Sequence, residues 1–216
     1  ENDELLLTIK ANSGQYRLVL SANASLPLAY MTKDNKPSPQ LAPNFVMFLR
    51  KHINNGRIIS ITQPAFERII DIEIEHLDEL GDLCRKHLIT EFMGKHSNII
   101  FCDDKDMILD SIKHVSAQMS SVREVLPGRT YFIPDTMEKS DPLSVDVSSF
   151  MEILRLKPVP LGKAIYTSFT GISPVIAEDI CFLAGLNSQL PASVLDEDTF
   201  LHLFRQFSYY MDDIRC

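Results

Sequence analysis

The sequence predicts an α+β fold in which a β-sandwich-like part precedes a small all-α part. Short apolar segments separated by turn residues recur through residues 1–135, and Ile70, Ile72 and Ile74 alternate with acidic residues at the period of a half-buried strand. Beyond residue 146 the apolar spacing becomes three and four, which is typical of helices. Residues 134–146 are rich in Pro, Asp and Ser and have no period. We therefore predict a linker there and domains at 1–135 and 136–216.

The first part opens with a predicted β-meander. Three apolar-rich strands separated by turn residues are expected at 5–10, 16–21 and 28–32. A proline-rich loop then precedes an amphipathic helix over residues 44–56, in which Phe45, Phe48 and Leu49 share one face. Gly56 is the predicted C-terminal stop of this helix.

A second β-unit follows the helix. Its strands are expected at 57–63, 68–76, 84–93 and 98–103. The strand–turn–strand rhythm of the first unit recurs here. The repetition predicts two sheets packed as a sandwich with a helix beside them.

The second part is predicted to be helical throughout. A helix follows residue 146, with Ser148 or Ser149 as its cap. Gly171 separates two further helices, with Pro174 in the first turn of the second and Gly185 at its end. The last helix, over residues 196–214, begins with acidic residues, as the helix dipole favours.

The composition narrows the class of protein. The 216 residues are 45% hydrophobic, enough for a substantial core, and no apolar run is long enough to span a membrane. No secretory signal opens the chain, so we expect a cytoplasmic protein, and the first and last residues suggest a fragment truncated at both ends. The four cysteines form no C-x-x-C pair, which predicts free thiols without zinc or disulfides, and we expect no cofactor.

The net charge of −8 is unevenly distributed along the chain. Residues 1–135 carry 15 Lys and Arg against 18 Asp and Glu, whereas residues 136–216 carry 6 against 11. Residues 44–68 contain four basic side chains and a single acidic one. Local basic patches decide nucleic-acid binding more than the total charge does, so the first part is the better candidate.

Three stretches carry a resemblance to a known family. The segments "FLRKHINNGRIISITQPAFERII", "EFMGKHSNIIFCD" and "TSFTGISPVIAEDICFLAGL" resemble the NFACT N-terminal domain and the following helix-hairpin-helix domain of the RqcH/NEMF family. Bacterial members of this family carry an older label as fibronectin-binding proteins. The resemblance implies an N-terminal fold similar to that of the Fpg/Nei DNA glycosylases, without the glycosylase chemistry.

The resemblance also implies a function. RqcH-type proteins act in ribosome-associated quality control, where they bind the large ribosomal subunit with an obstructed peptidyl-tRNA and recruit alanyl-tRNA. The stalled chain is then extended with untemplated alanine. The sequence contains no phosphate loop, nucleophile elbow or carboxylate dyad, which fits a positioning factor that is not itself an enzyme.

The candidate site residues come from this resemblance and from the local charge. The family's functional Asp-Arg pair corresponds to Glu67 and Arg68, where the acid is one methylene longer. A second family patch corresponds to Glu91, Phe92 and Met93. The remaining candidates for tRNA or ribosome binding are basic residues of the two motifs: Arg50, Lys51, Lys95 and His96.

The residues alone also permit plainer interpretations. Arg68 and Glu67 are equally typical of a solvated ion pair at a strand end. The histidines that follow lysines are equally typical of half-buried imidazoles beside solvated lysines. Gly94 to Asn98 has the composition of a tight turn between two strands, with Lys95 and His96 as its basic tips. Two other functions stay open: a surface adhesin that binds fibronectin, and a DNA-processing enzyme of the Fpg/Nei kind.

Overall fold

The computed structural model describes residues 3–34, 39–134 and 139–214. The chain divides into two compact units, the first formed by Glu1–Pro64 with Arg68–Pro134 and the second by Ala65–Glu67 with Asp135–Cys216. Two antiparallel sheets lie in the first unit, and four of the five helices that the described residues form lie in the second. The predicted α+β class is confirmed. Parts of the predicted proline-rich loop and of the predicted linker fall outside the described residues.

The first sheet is the predicted meander. Strands β1 (Glu4–Ala11), β2 (Gly14–Ser21) and β3 (Leu28–Thr32) pair antiparallel in that order. Ala11 pairs with Gly14, so the first hairpin closes around the two intervening polar residues. Buried Leu5 and Leu20 contribute the sheet's apolar side chains to the core.

Helix α1 (Asn44–Ile53) buries Phe45 and Leu49, as its periodicity predicted. The helix ends near the predicted position, but the prediction that Gly56 stops it was wrong. The residue with left-handed backbone is Asn55, at φ 61°. Gly56 instead lies against strand β5 (Ile69–Leu77), where an added Cβ would approach the Ile74 Cγ2 atom to 2.8 Å. Close packing, rather than a turn, requires glycine at this position.

The second sheet has five antiparallel strands in sequence order. They are β4 (Arg57–Thr62), β5, β6 (Leu83–Glu91), β7 (Asn98–Asp103) and β8 (Ile108–Ser111). Ile69 pairs with Glu91 and Leu77 with Leu83, which fixes the register of the central pair. The two ends of this sheet are named here for the residues beside them: the Arg68 end, where β5 begins, and the Glu79 end, where β5 ends.

One face of the five-stranded sheet packs in a shared core with α1 and the first sheet. That core contains Ile72, Ile74 and Leu88 from the large sheet together with Leu20 and Phe45. The predicted arrangement of two sheets with a helix beside them is therefore confirmed. Alternation along β5 places its acidic residues on the opposite face, also as predicted.

Within the first unit, the described residues cover the opposite face at the Arg68 end. Residues 115–133 cross it as an irregular segment held by a bridge between Val115 and Val125 and by another between Met107 and Thr130. Val125 and Tyr131 of this segment pack in a small core with Ile69, Ile89 and other buried side chains of the sheet. Towards the Glu79 end the same face carries half-buried charged residues instead.

The second unit is built around helices α2 (Val147–Arg155), α3 (Leu161–Ser168), α4 (Pro174–Leu183) and α5 (Glu197–Ile214). Its core is rich in aromatic rings, with Phe150 stacked on Phe169 at 5.4 Å between centroids. Within the described residues, no helix combines the length and the apolar character needed to cross a bilayer.

Most helix boundaries of the second unit agree with the sequence. Ser173 caps α4 and Pro174 occupies its first turn, while Gly171 and Gly185 both have positive φ. The predicted cap of α2 was wrong: the Asp146 carboxylate accepts the Ser149 N–H at 2.8 Å, so the cap lies two to three residues before the predicted serines. That this unit is a helix-hairpin-helix domain stays a prediction.

Candidate nucleic-acid interface

The Arg68 end of the five-stranded sheet collects most of the predicted site residues. Arg68 directly precedes β5, and its carbonyl accepts the Phe92 N–H at 2.8 Å, just after β6 ends. The polar turn between β6 and β7 follows at once. The pairing of β5 with β6 therefore brings the two family motifs to the same edge although more than 20 residues separate them in the chain.

Arg68 is exposed at this edge, as a residue that contacts phosphate must be. Glu67 is half-buried and groups with the second unit, whereas Arg68 groups with the first. Phe66, just before them, has a left-handed backbone at φ 61°, and its ring lies where a Cβ on Gly171 would be. Gly171 is therefore required twice, for its own positive φ and for the space that the ring occupies.

The turn between β6 and β7 has the form that the sequence predicted. Gly94–His96 is a single 3-10 turn, and Gly94 has φ 57°. Ser97 is buried and accepts the Met93 N–H through its Oγ at 2.8 Å. Lys95 and His96 are exposed at the tip of the turn. The segment Gly94 to Asn98 thus divides into a buried structural half and an exposed basic half.

Asn98, which follows the turn and opens β7, connects it to Lys113 just after β8. Its Nδ2 donates to the Lys113 carbonyl at 2.8 Å, and its Oδ1 accepts the Lys113 N–H at 3.1 Å. The side chain is 2% exposed, so these bonds satisfy polar atoms that water does not reach. Asn98 therefore stabilises the edge and is not available to a ligand.

Glu91 does not occupy the surface position that the sequence predicted. Its side chain is fully buried at the end of β6 and lies on the face covered by residues 115–133. Both carboxylate oxygens accept from Nη2 of Arg123, and Oε1 also accepts the Tyr131 hydroxyl at 3.0 Å. The acidic residue that the motif suggested as a ligand is instead the centre of an internal ion pair.

Arg123 and Tyr131 are residues that sequence reasoning missed. The Arg123 side chain is 11% exposed, donates through Nη1 to the Phe132 carbonyl at 2.6 Å and lies 5.3 Å from the Tyr131 ring centroid. Ion pairing with Glu91 raises the Arg123 pKa although burial opposes the charge, and burial raises the pKa of Tyr131. No local pattern marks either residue, because the partner lies 32 or 40 positions away.

Phe92 and Met93 connect this buried pair to the exposed turn. Both side chains are half-buried, and Met93 packs against the small core beneath residues 115–133. Of the second predicted patch, therefore, Phe92 and Met93 retain partial surface exposure while Glu91 has none.

Arg50 and Lys51 lie apart from the other candidates. Both are exposed in the last turn of α1, and Lys51 Nζ is 2.8 Å from Oε1 of Glu79, in the turn between β5 and β6. The nine residues of β5 separate that turn from Arg68, a distance of roughly 27 Å in an extended strand. The structure thus divides the predicted basic residues between two ends of the sheet.

A Cys–His–Asp cluster at the margin of the small core resembles a catalytic triad only in its composition. His87 Nδ1 is 3.0 Å from Asp71 Oδ2, and Cys102 is the cross-strand partner of His87. Burial and nearby carboxylates raise the pKa of the Cys102 thiol to about 12, which makes it a poor nucleophile. Among the described residues, no group of three or more His, Cys, Asp or Glu side chains is arranged to hold a metal ion.

Comparison with known proteins decides the family. The NFACT N-terminal and middle domains match residues 1–216, the whole chain. The chain belongs to the NFACT family. Its sequence is 35% identical over 195 residues to the Rqc2 homolog RqcH of Bacillus subtilis, covering 89% of the chain. It is 34% identical over 178 residues to RqcH of Streptococcus pneumoniae, and 27% identical over 219 residues to the archaeal homolog aRqcH of Methanocaldococcus jannaschii. The chain spans about a third of the length of these curated relatives.

Solved structures of this NFACT chain's relatives carry different names. The fibrinogen binding protein from Staphylococcus aureus superposes with a TM-score of 0.80 at 28% identity, covering 100% of the chain and 73% of that protein. The N-terminal part of the fibronectin/fibrinogen-binding protein from Streptococcus suis gives 0.77 at 30% identity, covering 96% and 73%. MutM (Fpg) from Thermus thermophilus gives only 0.44 at 16% identity, which supports no conclusion here.

Proposed function

We propose that this NFACT chain is the tRNA- and large-subunit-binding part of a ribosome-associated quality control factor, and that it acts in the cytoplasm without catalysing a reaction itself. The whole protein would bind large subunits that carry an obstructed peptidyl-tRNA and would recruit alanyl-tRNA for untemplated alanine addition. The observation that carries the proposal is the exposure of Arg68, Lys95 and His96 at one end of one sheet. Similarity to proteins named RqcH supports the same assignment.

The charge at the Arg68 end suits a polyanion. Arg68 offers a planar guanidinium that binds phosphate oxygens in a fork, and Lys95 adds a mobile ammonium group at the tip of the turn. Phe92 and Met93 add partly exposed apolar surface beside these cations. Cations beside an apolar contact are the combination that unpaired RNA bases and their phosphates require. Peptide transfer itself needs no catalytic residue here if ribosomal RNA performs it.

Filter binding of alanyl-tRNA to the full-length protein tests the proposal. We expect Arg68→Ala to weaken binding about tenfold and to lower the slope of log K against log salt by about one, since one phosphate contact is lost. Arg57→Ala is the matched control, because Arg57 is an exposed arginine at the start of β4, towards the Glu79 end. Equal affinity of Arg68→Ala and wild type, with unchanged alanine tailing in cells, would reject the assignment.

The names of the structural relatives favour a second candidate, a surface protein that binds fibrinogen or fibronectin. Cell fractionation distinguishes the two. A pool of the full-length protein that sediments with ribosomes supports the quality-control function, whereas a pool that surface proteolysis removes from intact cells supports adhesion.

A further inference from the structure

The buried ion pair at the Arg68 end joins the irregular segment to the strand that leads into the basic turn. Glu91 ends β6, three positions before Gly94 opens the turn. Arg123 and Tyr131 belong to the segment of residues 115–133, and both donate hydrogen bonds to the Glu91 carboxylate.

The contacts continue from Glu91 into the turn without interruption. Phe92 N–H donates to the Arg68 carbonyl, the next amide donates to Ser97 Oγ, and His96 N–H donates to the Met93 carbonyl at 3.1 Å. Met93 also packs in the small core that contains Tyr131. A displacement of Glu91 therefore changes the backbone position of both Arg68 and the turn that carries Lys95.

We propose that Arg123 and Tyr131, through buried Glu91, are positioning residues that hold Arg68 and the Gly94–His96 turn in the arrangement that binds tRNA. Neither side chain touches the tRNA: Arg123 is almost fully buried and Tyr131 is 9% exposed. The inference rests on the proposed function and assigns a role to two residues outside both family motifs. It also explains why a fully buried glutamate lies within a motif associated with binding.

Charge balance gives the reason why the arrangement is sensitive to one substitution. The Glu91 carboxylate has no access to water, so it depends on Arg123 and Tyr131 for its compensation. When Arg123 is replaced by Gln, we expect the carboxylate to take up a proton or to draw water towards it, and residues 115–133 lose one of their attachments to β6. Both outcomes move the end of β6.

The test measures binding of fluorescently labelled alanine tRNA to the full-length protein at several salt concentrations, well below the unfolding midpoint of each variant. Arg123→Gln is expected to weaken binding about tenfold with an unchanged salt slope, as a coupled residue does when it makes no phosphate contact. Lys95→Ala is expected to lower the salt slope instead, because it removes a phosphate contact. Arg129→Ala removes an exposed arginine of the same segment, paired with Glu124 at 2.8 Å, and is expected to retain wild-type affinity.

A gentler pair of variants keeps the proposal testable if Arg123→Gln does not fold. Tyr131→Phe removes one hydroxyl, keeps the ring and is expected to weaken binding about threefold. Adding Glu91→Gln to Arg123→Gln neutralises the buried carboxylate and is expected to recover part of the affinity. Hydrogen exchange at Phe92 and at residues 94–97 should rise in Tyr131→Phe and stay at the wild-type level in Arg129→Ala.

The outcomes separate three situations. If wild type does not bind tRNA, the proposed function fails. If wild type binds and Tyr131→Phe and Arg123→Gln bind equally well despite a lower unfolding midpoint, the ion pair is merely structural and the inference is overturned. A smaller salt slope for Arg123→Gln also overturns it, because that residue would then contact phosphate directly.

Discussion

The covered face of the five-stranded sheet and its open continuation contain the same kinds of charge in different surroundings. At the Arg68 end, Glu91 of β6 pairs with Arg123 of the covering segment, and their side chains are 0% and 11% exposed. Towards the Glu79 end, Arg85 lies 3.2 Å from Glu73 and 3.7 Å from Glu75, but its side chain is 55% exposed. Water screens the second group and not the first, so removing one partner has very different consequences in the two places.

This difference also assigns different roles to the two ends. The buried pair connects segments that are far apart in sequence, which makes it suitable for holding a binding edge in one arrangement. The contacts of Arg85 with Glu73 and Glu75 join neighbouring strands that the backbone already pairs. These contacts add solubility and a modest attraction between the strands, and each contributes less than about 1 kcal/mol to stability.

The largest effect is expected from Arg123→Gln. Removing one partner leaves an uncompensated buried carboxylate, so the free energy of unfolding should fall by about 3–5 kcal/mol. Urea denaturation measures this value, and Arg129→Ala serves as the control because its side chain is 60% exposed. A loss below about 1 kcal/mol for Arg123→Gln would remove the distinction between the two ends.

Tyr131→Phe should have an intermediate effect. It deletes the hydroxyl that donates to Glu91 Oε1 at 3.0 Å while the ring still packs in the small core. A hydrogen bond to a charged group contributes about 1.5–3 kcal/mol, which sets the expected decrease in unfolding free energy. The same urea experiment applies. Tyr209→Phe is the matched control and should be as stable as wild type, because the Tyr209 side chain is exposed on α5.

A smaller effect is expected from Arg85→Ala. Arg85 is 55% exposed although Glu73 and Glu75 are half-buried, so water still screens these contacts. The variant should lose less than about 1 kcal/mol and lose less still in high salt. Thermal unfolding at low and high ionic strength provides the measurement. A loss equal to that of Arg123→Gln would show that exposure does not govern these pairs.

The smallest effect is a pH dependence at Asp71. Burial raises the pKa of this carboxyl above its ordinary value of 3.8, and the attraction of His87 only partly opposes the shift. A raised pKa means that the folded state favours the protonated form. The contribution of Asp71 to stability is therefore complete below about pH 3.8 and is lost as the pH rises through the folded-state pKa.

The side chain in Asp71→Asn stays neutral at every pH, so this variant should not lose stability as the pH rises through the folded-state pKa of Asp71. Its unfolding midpoint should be slightly above that of wild type at pH 7, and the two midpoints should converge towards pH 4. Thermal scans across this range give the difference directly. A variant that is less stable than wild type at pH 7 by a margin that disappears on acidification would reverse the sign and show that the His87 contact dominates.

Much of the fold follows from local patterns. The alternation in β5, the apolar spacing of α1 and the glycines at positions 171 and 185 each predicted the element that the structure contains. Errors arose where two local explanations compete. Asp146 and the serines after it are all good caps, and only the backbone decides that Asp146 reaches the Ser149 N–H. Gly56 looks like a helix stop, yet its packing against Ile74 is a tertiary contact.

The candidate site was likewise predicted correctly in part from local motifs and in part only from the tertiary structure. The motifs identified Arg68 and the turn that carries Lys95 and His96, and β5–β6 pairing brings these exposed residues to one edge. The motifs also grouped them with Arg50 and Lys51, which strand length then separates. Proximity in sequence is a poor guide across a nine-residue strand, because its two ends lie on opposite sides of the sheet.

By itself, the sequence determined which segments form strands and helices, which faces are apolar and which family the motifs resemble, since these depend on residues within a few positions of one another. Only the tertiary structure decided that Glu91 is buried while Arg68 is exposed. The reason is physical: a carboxylate can be buried when a cation and a hydroxyl reach it, and here these come from Arg123 and Tyr131, which the fold places beside it from 32 and 40 residues away.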